Sequence, residues 1–99
     1  MRIYLDDIRK CPYDDWETVR TAEEAIDLLR EEEVDEISLD HDLGTVLTGY
    51  DVACYIEGLV FQDRDYVPPK IYIHSANPVG IRKIQQAIDS IDRKLEDRK

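Results

Sequence analysis

Four short runs rich in β-forming residues interrupt an otherwise polar chain, at 3–5, 16–20, 35–39 and 70–73. Each reads as a strand. Between and after them, apolar residues recur at helical spacing in three sets. The first is Ala22, Ala25, Ile26 and Leu29, introduced by Thr21-x-x-Glu24, a capping box in which the Thr oxygen and the Glu carboxylate satisfy free backbone N–H groups. It fades in Glu31-Glu32-Glu33, a poor helix end because the C-terminal dipole disfavours anions. The second, opened by Gly49-Tyr50, is Val52, Ala53, Ile56, Leu59 and Val60. The third is Ile81, Ile84, Ile88, Ile91 and Leu95, with Asn77 as N-cap, Pro78 at the first helical position and a basic end at Arg93, Lys94, Arg98 and Lys99. Residues 8–15 hold Pro12 and two acids and read as a loop, as does 62–69, where Pro68-Pro69 forbids helix. The order is strand, loop, strand, then helix and strand in alternation, which implies a parallel sheet covered by helices. The first connection is unusual: parallel neighbours normally need a crossover of a dozen residues or so, most often a helix.

Three of the runs are followed at once by polar clusters. Ile3-Tyr4-Leu5 leads into Asp6, Asp7 and Arg9; Ile37-Ser38-Leu39 into Asp40, His41 and Asp42; Ile71-Tyr72-Ile73 into His74, Ser75 and Asn77. If the runs are parallel strands, the clusters meet along one edge, and open α/β sheets bind ligands outside the carboxyl ends of their strands.

Asp6, Asp7 and Asp40 would then converge on one point, where their mutual repulsion calls for protons or a cation. Oxygen ligands favour a hard ion, with Mg²⁺ the default, recruiting phosphate oxygens. Asp42 is a fourth candidate ligand. Paired acids at a strand end also serve as turn caps, but the equivalent placement of two acidic clusters favours a site. Both histidines of the chain, His41 and His74, fall in these clusters. Either suits proton transfer or, with the carboxylates, a site for Mn²⁺ or Zn²⁺. Asp40, His41 and His74 are the candidate catalytic residues. Arg9 offers a bidentate grip on phosphate, Ser75 a hydroxyl for a phosphate oxygen, and Asn77 caps a helix whose N–H groups form an anion seat; these three are the candidate substrate-binding residues.

Composition narrows the field. Ninety-nine residues, 42% hydrophobic and 36% charged, make one domain, 1–99. No apolar stretch approaches a membrane span, and the N-terminal run is too short and too acidic for a signal peptide, so a cytoplasmic, non-membrane protein is expected. Cys11 and Cys54 lack metal or redox spacing and read as reduced thiols, Cys54 on the buried side of the second helix. A net charge of −10 repels duplex DNA, because such binding rests on phosphate neutralisation by Lys and Arg. A small phosphorylated ligand, or a nucleotide or RNA end held by a metal, remains compatible.

The residues resemble the receiver domain of two-component response regulators: an acidic pair after strand one (Asp6-Asp7), a phosphoacceptor Asp after strand three (Asp40), and Ser followed by Ala after strand four (Ser75-Ala76). By that resemblance Asp7 and Asp40 would bind Mg²⁺ together with a phosphoryl group. A receiver also has a helix after strand one and a fifth strand bearing a Lys, and this chain has neither. Asp6-Asp7-x-Arg9, the 38–44 stretch and His74-Ser75-Ala76-Asn77-Pro78-x-Gly80 are similar to a compact group, the cyclic-phosphate-processing receiver domains. The resemblance implies a compact receiver-like (flavodoxin-like) three-layer α/β domain, with a four-stranded parallel sheet in order 2-1-3-4 and no first helix or fifth strand. It also implies metal-dependent phosphoesterase action on cyclic phosphates at nucleotide or RNA ends. Two other functions fit parts of the pattern: a signalling module that accepts phosphate on Asp40, and a non-catalytic acidic binding protein.

Overall fold

The computed structural model describes residues 1–99 and places seven elements. They are β1 (Arg2–Leu5), β2 (Glu17–Val19), α1 (Ala22–Glu31), β3 (Glu36–Leu39), α2 (Gly49–Gln62), β4 (Lys70–Ile73) and α3 (Pro78–Glu96). The strands form one sheet in the order β2-β1-β3-β4, all parallel, as the sequence implied. No helix is long and apolar enough to cross a membrane.

Side-chain alternation along the strands assigns the two faces. Ile3 and Leu5 of β1 pair in register with Ile37 and Leu39 of β3, which pair in turn with Ile71 and Ile73 of β4. Together with Val19 they form one face, packed in a single core with Ala22, Ala25 and Leu29 of α1, Val52, Ala53, Ile56 and Val60 of α2, and Ile84, Ala87 and Ile91 of α3. All three helices therefore lie on this face. The opposite face carries the register row Thr18–Tyr4–Ser38–Tyr72. It is covered only in part, by the connection between β1 and β2, so the third layer of the domain is a loop and not a helix. Cys11 in that loop donates its amide to Thr18 Oγ1 (3.2 Å), and Trp16 tilts against Tyr72 with ring centroids 6.4 Å apart. Arg20, just after β2, donates through Nη1 to the carbonyls of Asp6 (3.1 Å) and Arg9 (3.0 Å) and fixes the start of the loop.

Several local expectations change in detail. Thr21 caps α1 by accepting the Glu24 amide, but the Glu24 carboxylate takes the Thr21 hydroxyl instead of its backbone N–H. Cys11, in the β1–β2 loop, is the buried thiol, whereas Cys54 is half-exposed because it lies at the margin of the apolar stripe of α2; both are free. Arg98 lies beyond α3 and serves another helix: it donates to the carbonyls of Val60 (2.6 Å), Asp63 (2.7 Å) and Tyr66 (2.8 Å), supplying partners at the C-terminal end of α2.

That last arrangement predicts that Arg98→Ala destabilises the domain by about 2 kcal/mol, the scale for charged hydrogen bonds lost to partly buried acceptors. Urea unfolding followed by circular dichroism measures it; an unchanged midpoint would show the clamp to be dispensable.

A candidate metal centre at the carboxyl edge of the sheet

Asp6, Asp40 and His74 each directly follow a strand, and each stays tied to the neighbouring strand through its backbone. Asp6 N donates to Val19 O (3.1 Å), Asp40 N to Leu5 O (3.0 Å) and His74 N to Leu39 O (3.0 Å). The ladder thus extends one residue beyond the strands and holds the three residues side by side, with side chains on the same face as Tyr4, Ser38 and Tyr72. One potential ligand atom from each lies within 4.8 Å of the others.

The centre is buried: Asp6 is 1% exposed and Asp40 8%. Asp6 Oδ1 accepts the amides of Ile8 (2.9 Å) and Arg9 (2.8 Å). Its Oδ2 is 3.3 Å from His74 Nε2, and both atoms are buried without a well-formed hydrogen bond. Such orphaned atoms are rare in native proteins, and each calls for an explanation such as a bound ion. The far side of His74 is fixed: Nδ1 contacts Ser38 Oγ at 2.7 Å, and the ring stacks on Tyr4 with centroids 4.1 Å apart and planes 6° from parallel. A histidine that ligates through one nitrogen while the other is held by a polar partner is the usual arrangement at metal centres.

The electrostatics agree. Burial pushes the Asp40 carboxyl up, and the charge of Asp6 adds to this, outweighing the Asp42 amide and His74. Burial also opposes charge on Asp6, but the Arg9 and Ile8 amides, with the Arg9 guanidinium, hold that carboxyl below the usual range. Burial holds His74 below its ordinary value despite the pull of Asp6 and Asp40, which favours the neutral ring. A charged carboxylate, a strained second carboxylate and a neutral imidazole are donors that fit a divalent cation.

The other candidates are placed differently. Asp7 is outside the triad; its Oδ2 lies against Gly44, 3.5 Å from where a Cβ would stand, at a residue whose φ of +68° suits glycine. Asp42 is exposed and turned away: its Oδ1 meets His41 Nδ1 (2.9 Å) and accepts from Asn77 Nδ2 (3.2 Å). Asn77 Oδ1 accepts the Val79 and Gly80 amides and its carbonyl the Ile81 amide, so the start of α3 is closed by its own cap rather than open as an anion seat. His41 packs against α3, where a Cβ on Gly80 would come within 2.3 Å of its Cγ. Gly49 lets α2 approach equally closely, since its Cβ would fall 2.0 Å from Asp40 O. Ser75 Oγ accepts the Asn77 amide (3.1 Å), and its own proton remains to be donated. Arg9 is largely exposed beside the centre, its Nε 3.6 Å from Asp6 Oδ2. Sequence reasoning passed over the supporting residues Tyr4, Arg20 and Ser38. A lone hydroxyl in the apolar run 37–39 was the available signal for Ser38.

A four-stranded 2-1-3-4 parallel sheet with acids after its first and third strands defines a receiver-like domain. A family model described as the cyclic-phosphate processing receiver domain matches residues 1–90, and the chain belongs to that family. No curated protein matches it.

The burial of Asp40 predicts that Asp40→Asn stabilises the metal-free protein by about 1 kcal/mol at neutral pH, the usual size for relieving a functional-site charge. A raised carboxyl costs stability only above its unfolded-state value, ~3.9, so the gain should vanish below that pH. Urea unfolding in chelator checks it; a destabilised variant would make Asp40 a structural acceptor. For His74 the sign is opposite. Folding favours its neutral form, so metal-free stability should decline as pH falls below ~6.5, the value of an unperturbed His. That decline should flatten in His74→Gln.

Proposed function

We propose that this protein is a divalent-metal-dependent phosphoesterase that opens cyclic phosphates on nucleotides or RNA ends. The observation that carries the proposal is the pair of orphaned buried atoms, Asp6 Oδ2 and His74 Nε2, converging with Asp40 at the edge of the sheet. The family description supplies the substrate class. Asp6, Asp40 and His74 hold the ion. An imidazole among the ligands moves the preference from Mg²⁺ towards Mn²⁺ or Zn²⁺. When bound, the ion supplies charge stabilisation at the phosphate oxygens and lowers the pKa of water.

The remaining roles fall to residues around the triad. Arg9, exposed at the rim, grips the phosphate, and Ser75 donates its free hydroxyl proton to a phosphate oxygen. Asp7 and Asp42 stand outside the ligand set. Asp42 accepting from His41 Nδ1–H leaves Nε2 to act, and the role of base falls to His41. It takes a proton from the attacking water as the new P–O bond forms. The same proton then goes to the ribose oxygen as the ring P–O bond breaks, leaving a phosphomonoester.

Five variants separate these roles. The rise in melting temperature with Mn²⁺, expected for a ligand specific to the native state, should disappear in Asp40→Ala and His74→Ala and persist in Asp7→Ala. His41→Ala should keep it while losing ~10²–10⁴-fold in turnover of nucleoside 2′,3′-cyclic phosphates, the range for a general acid–base group. Arg9→Lys should raise KM, because the planar fork is lost. Metal-independent turnover would end this reading. A stable adduct on Asp40 from acetyl phosphate, with no turnover, would replace it with the phosphoacceptor function.

A further inference from the structure

The face of the sheet left free of helices carries a pocket of about 310 Å³, lined by Tyr4, Cys11, Tyr13, Trp16, Ser38 and Tyr72. It lies between the β1–β2 loop and the row Tyr4–Ser38–Tyr72, one side-chain row below the metal centre on the same face. Two of its walls are also walls of that centre: Tyr4 stacks on His74, and Ser38 contacts His74 Nδ1. We propose that this pocket holds the nucleobase of a nucleoside cyclic phosphate whose phosphate lies at Asp6, Asp40 and His74. The proposal rests on the phosphoesterase reading and names the part of the substrate that the reading leaves open.

The chemistry of the lining selects the occupant. No charged side chain lines the pocket, so a second phosphate does not suit it. Its volume is at the low end for small-ligand sites, enough for one flat ring system. Tyr13 is 64% exposed and Tyr72 38%, so their aromatic surfaces are spent on no core contact. Trp16 joins them, its ring centroid 6.4 Å from each. Stacking between aromatic side chains is how proteins hold unpaired bases, and it tolerates any base because each has a π face. Two residues along a strand span about 7 Å, a gap that a ribose bridges. The missing helix gives the same answer from the other side: its absence leaves the face open beside the metal centre.

Trp16 is the one tryptophan of the chain, so its fluorescence reports the pocket directly. The probes are adenosine, adenosine 2′,3′-cyclic phosphate and ethylene phosphate, a cyclic phosphate without a base, each titrated with and without Mn²⁺. Both adenine compounds should quench Trp16 saturably, the cyclic phosphate more tightly with Mn²⁺, and ethylene phosphate should not. Tyr13→Leu, at an exposed position that folding does not need, and Tyr72→Ala should weaken adenosine binding at least fivefold. Either should lower, by a similar factor, the ratio of kcat/KM for the adenosine substrate to that for ethylene phosphate. Turnover of both substrates with a ratio unchanged by the variants overturns the pocket and leaves the phosphoesterase standing. Saturable quenching by adenosine that Tyr72→Ala removes, without turnover of either substrate, supports the pocket and overturns the phosphoesterase. No saturable quenching by either adenine compound overturns the pocket. An oligoribonucleotide ending in a 2′,3′-cyclic phosphate tests the source of the base: tighter quenching by it than by the mononucleotide supports the pocket as a reader of RNA ends, and weaker quenching supports it as a mononucleotide site.

Discussion

Three backbone hydrogen bonds hold the candidate site in place. Asp6, Asp40 and His74 each donate an amide to the strand alongside, so the parallel ladder continues one residue past the strand ends. Neighbouring strands are about 4.8 Å apart, and a common register therefore brings three side chains within ligand distance of a single ion. A slip of one residue in any strand would turn that side chain to the opposite face. The isoleucines and leucines facing the helices prevent such a slip, because it would expose the core. The hydrophobic core thus sets the geometry of the polar site although it touches none of the chemistry.

That geometry carries a cost that the surroundings offset unevenly. Two carboxylates and an imidazole are buried together, and only Asp6 is well supplied with hydrogen bonds, from the amides of Ile8 and Arg9. Asp40 is left with a raised carboxyl and His74 with an unpartnered nitrogen. Arg20 secures the loop that delivers those amides, and Tyr4 with Ser38 secures the ring of His74. Held on so rigid a frame, this buried group could bind a divalent cation.

The loop that replaces the first helix has a second consequence. In a sheet with helices on both faces, the row Tyr4–Ser38–Tyr72 would be buried. Here it meets a thin cover of Cys11, Tyr13 and Trp16, beside the candidate metal centre, whose His74 stacks on Tyr4. On the helix side, His41, Asp42 and Asn77 join the β3–α2 loop to the start of α3, with Gly80 leaving room for the imidazole ring. Asp40 and His41, adjacent after β3, therefore divide between two clusters, one the buried Asp6–Asp40–His74 group and the other a half-buried histidine against α3.

The sequence by itself determined the sheet, its helices and the edge on which polar residues gather. Alternation in strands and 3.6-residue spacing in helices are local signals, and the motifs at 6–9, 38–44 and 74–80 carried the family. The membership of the candidate triad was another matter. Asp6, Asp7, Asp40 and Asp42 look equivalent as acids after strands, yet Asp7 faces Gly44 and Asp42 faces His41 and Asn77. Which acid turns inward depends on side-chain parity beyond the last ladder bond and on which loop partner is closer, neither of which a one-dimensional pattern records. His74 and Ser38 entered the centre for the same reason: they are distant in sequence and meet only because β3 and β4 are neighbours in register. The third layer was decided in the same way. Proline and acids in residues 8–15 exclude a helix there, but that the loop folds back over the sheet and leaves an aromatic pocket follows from tertiary contacts alone.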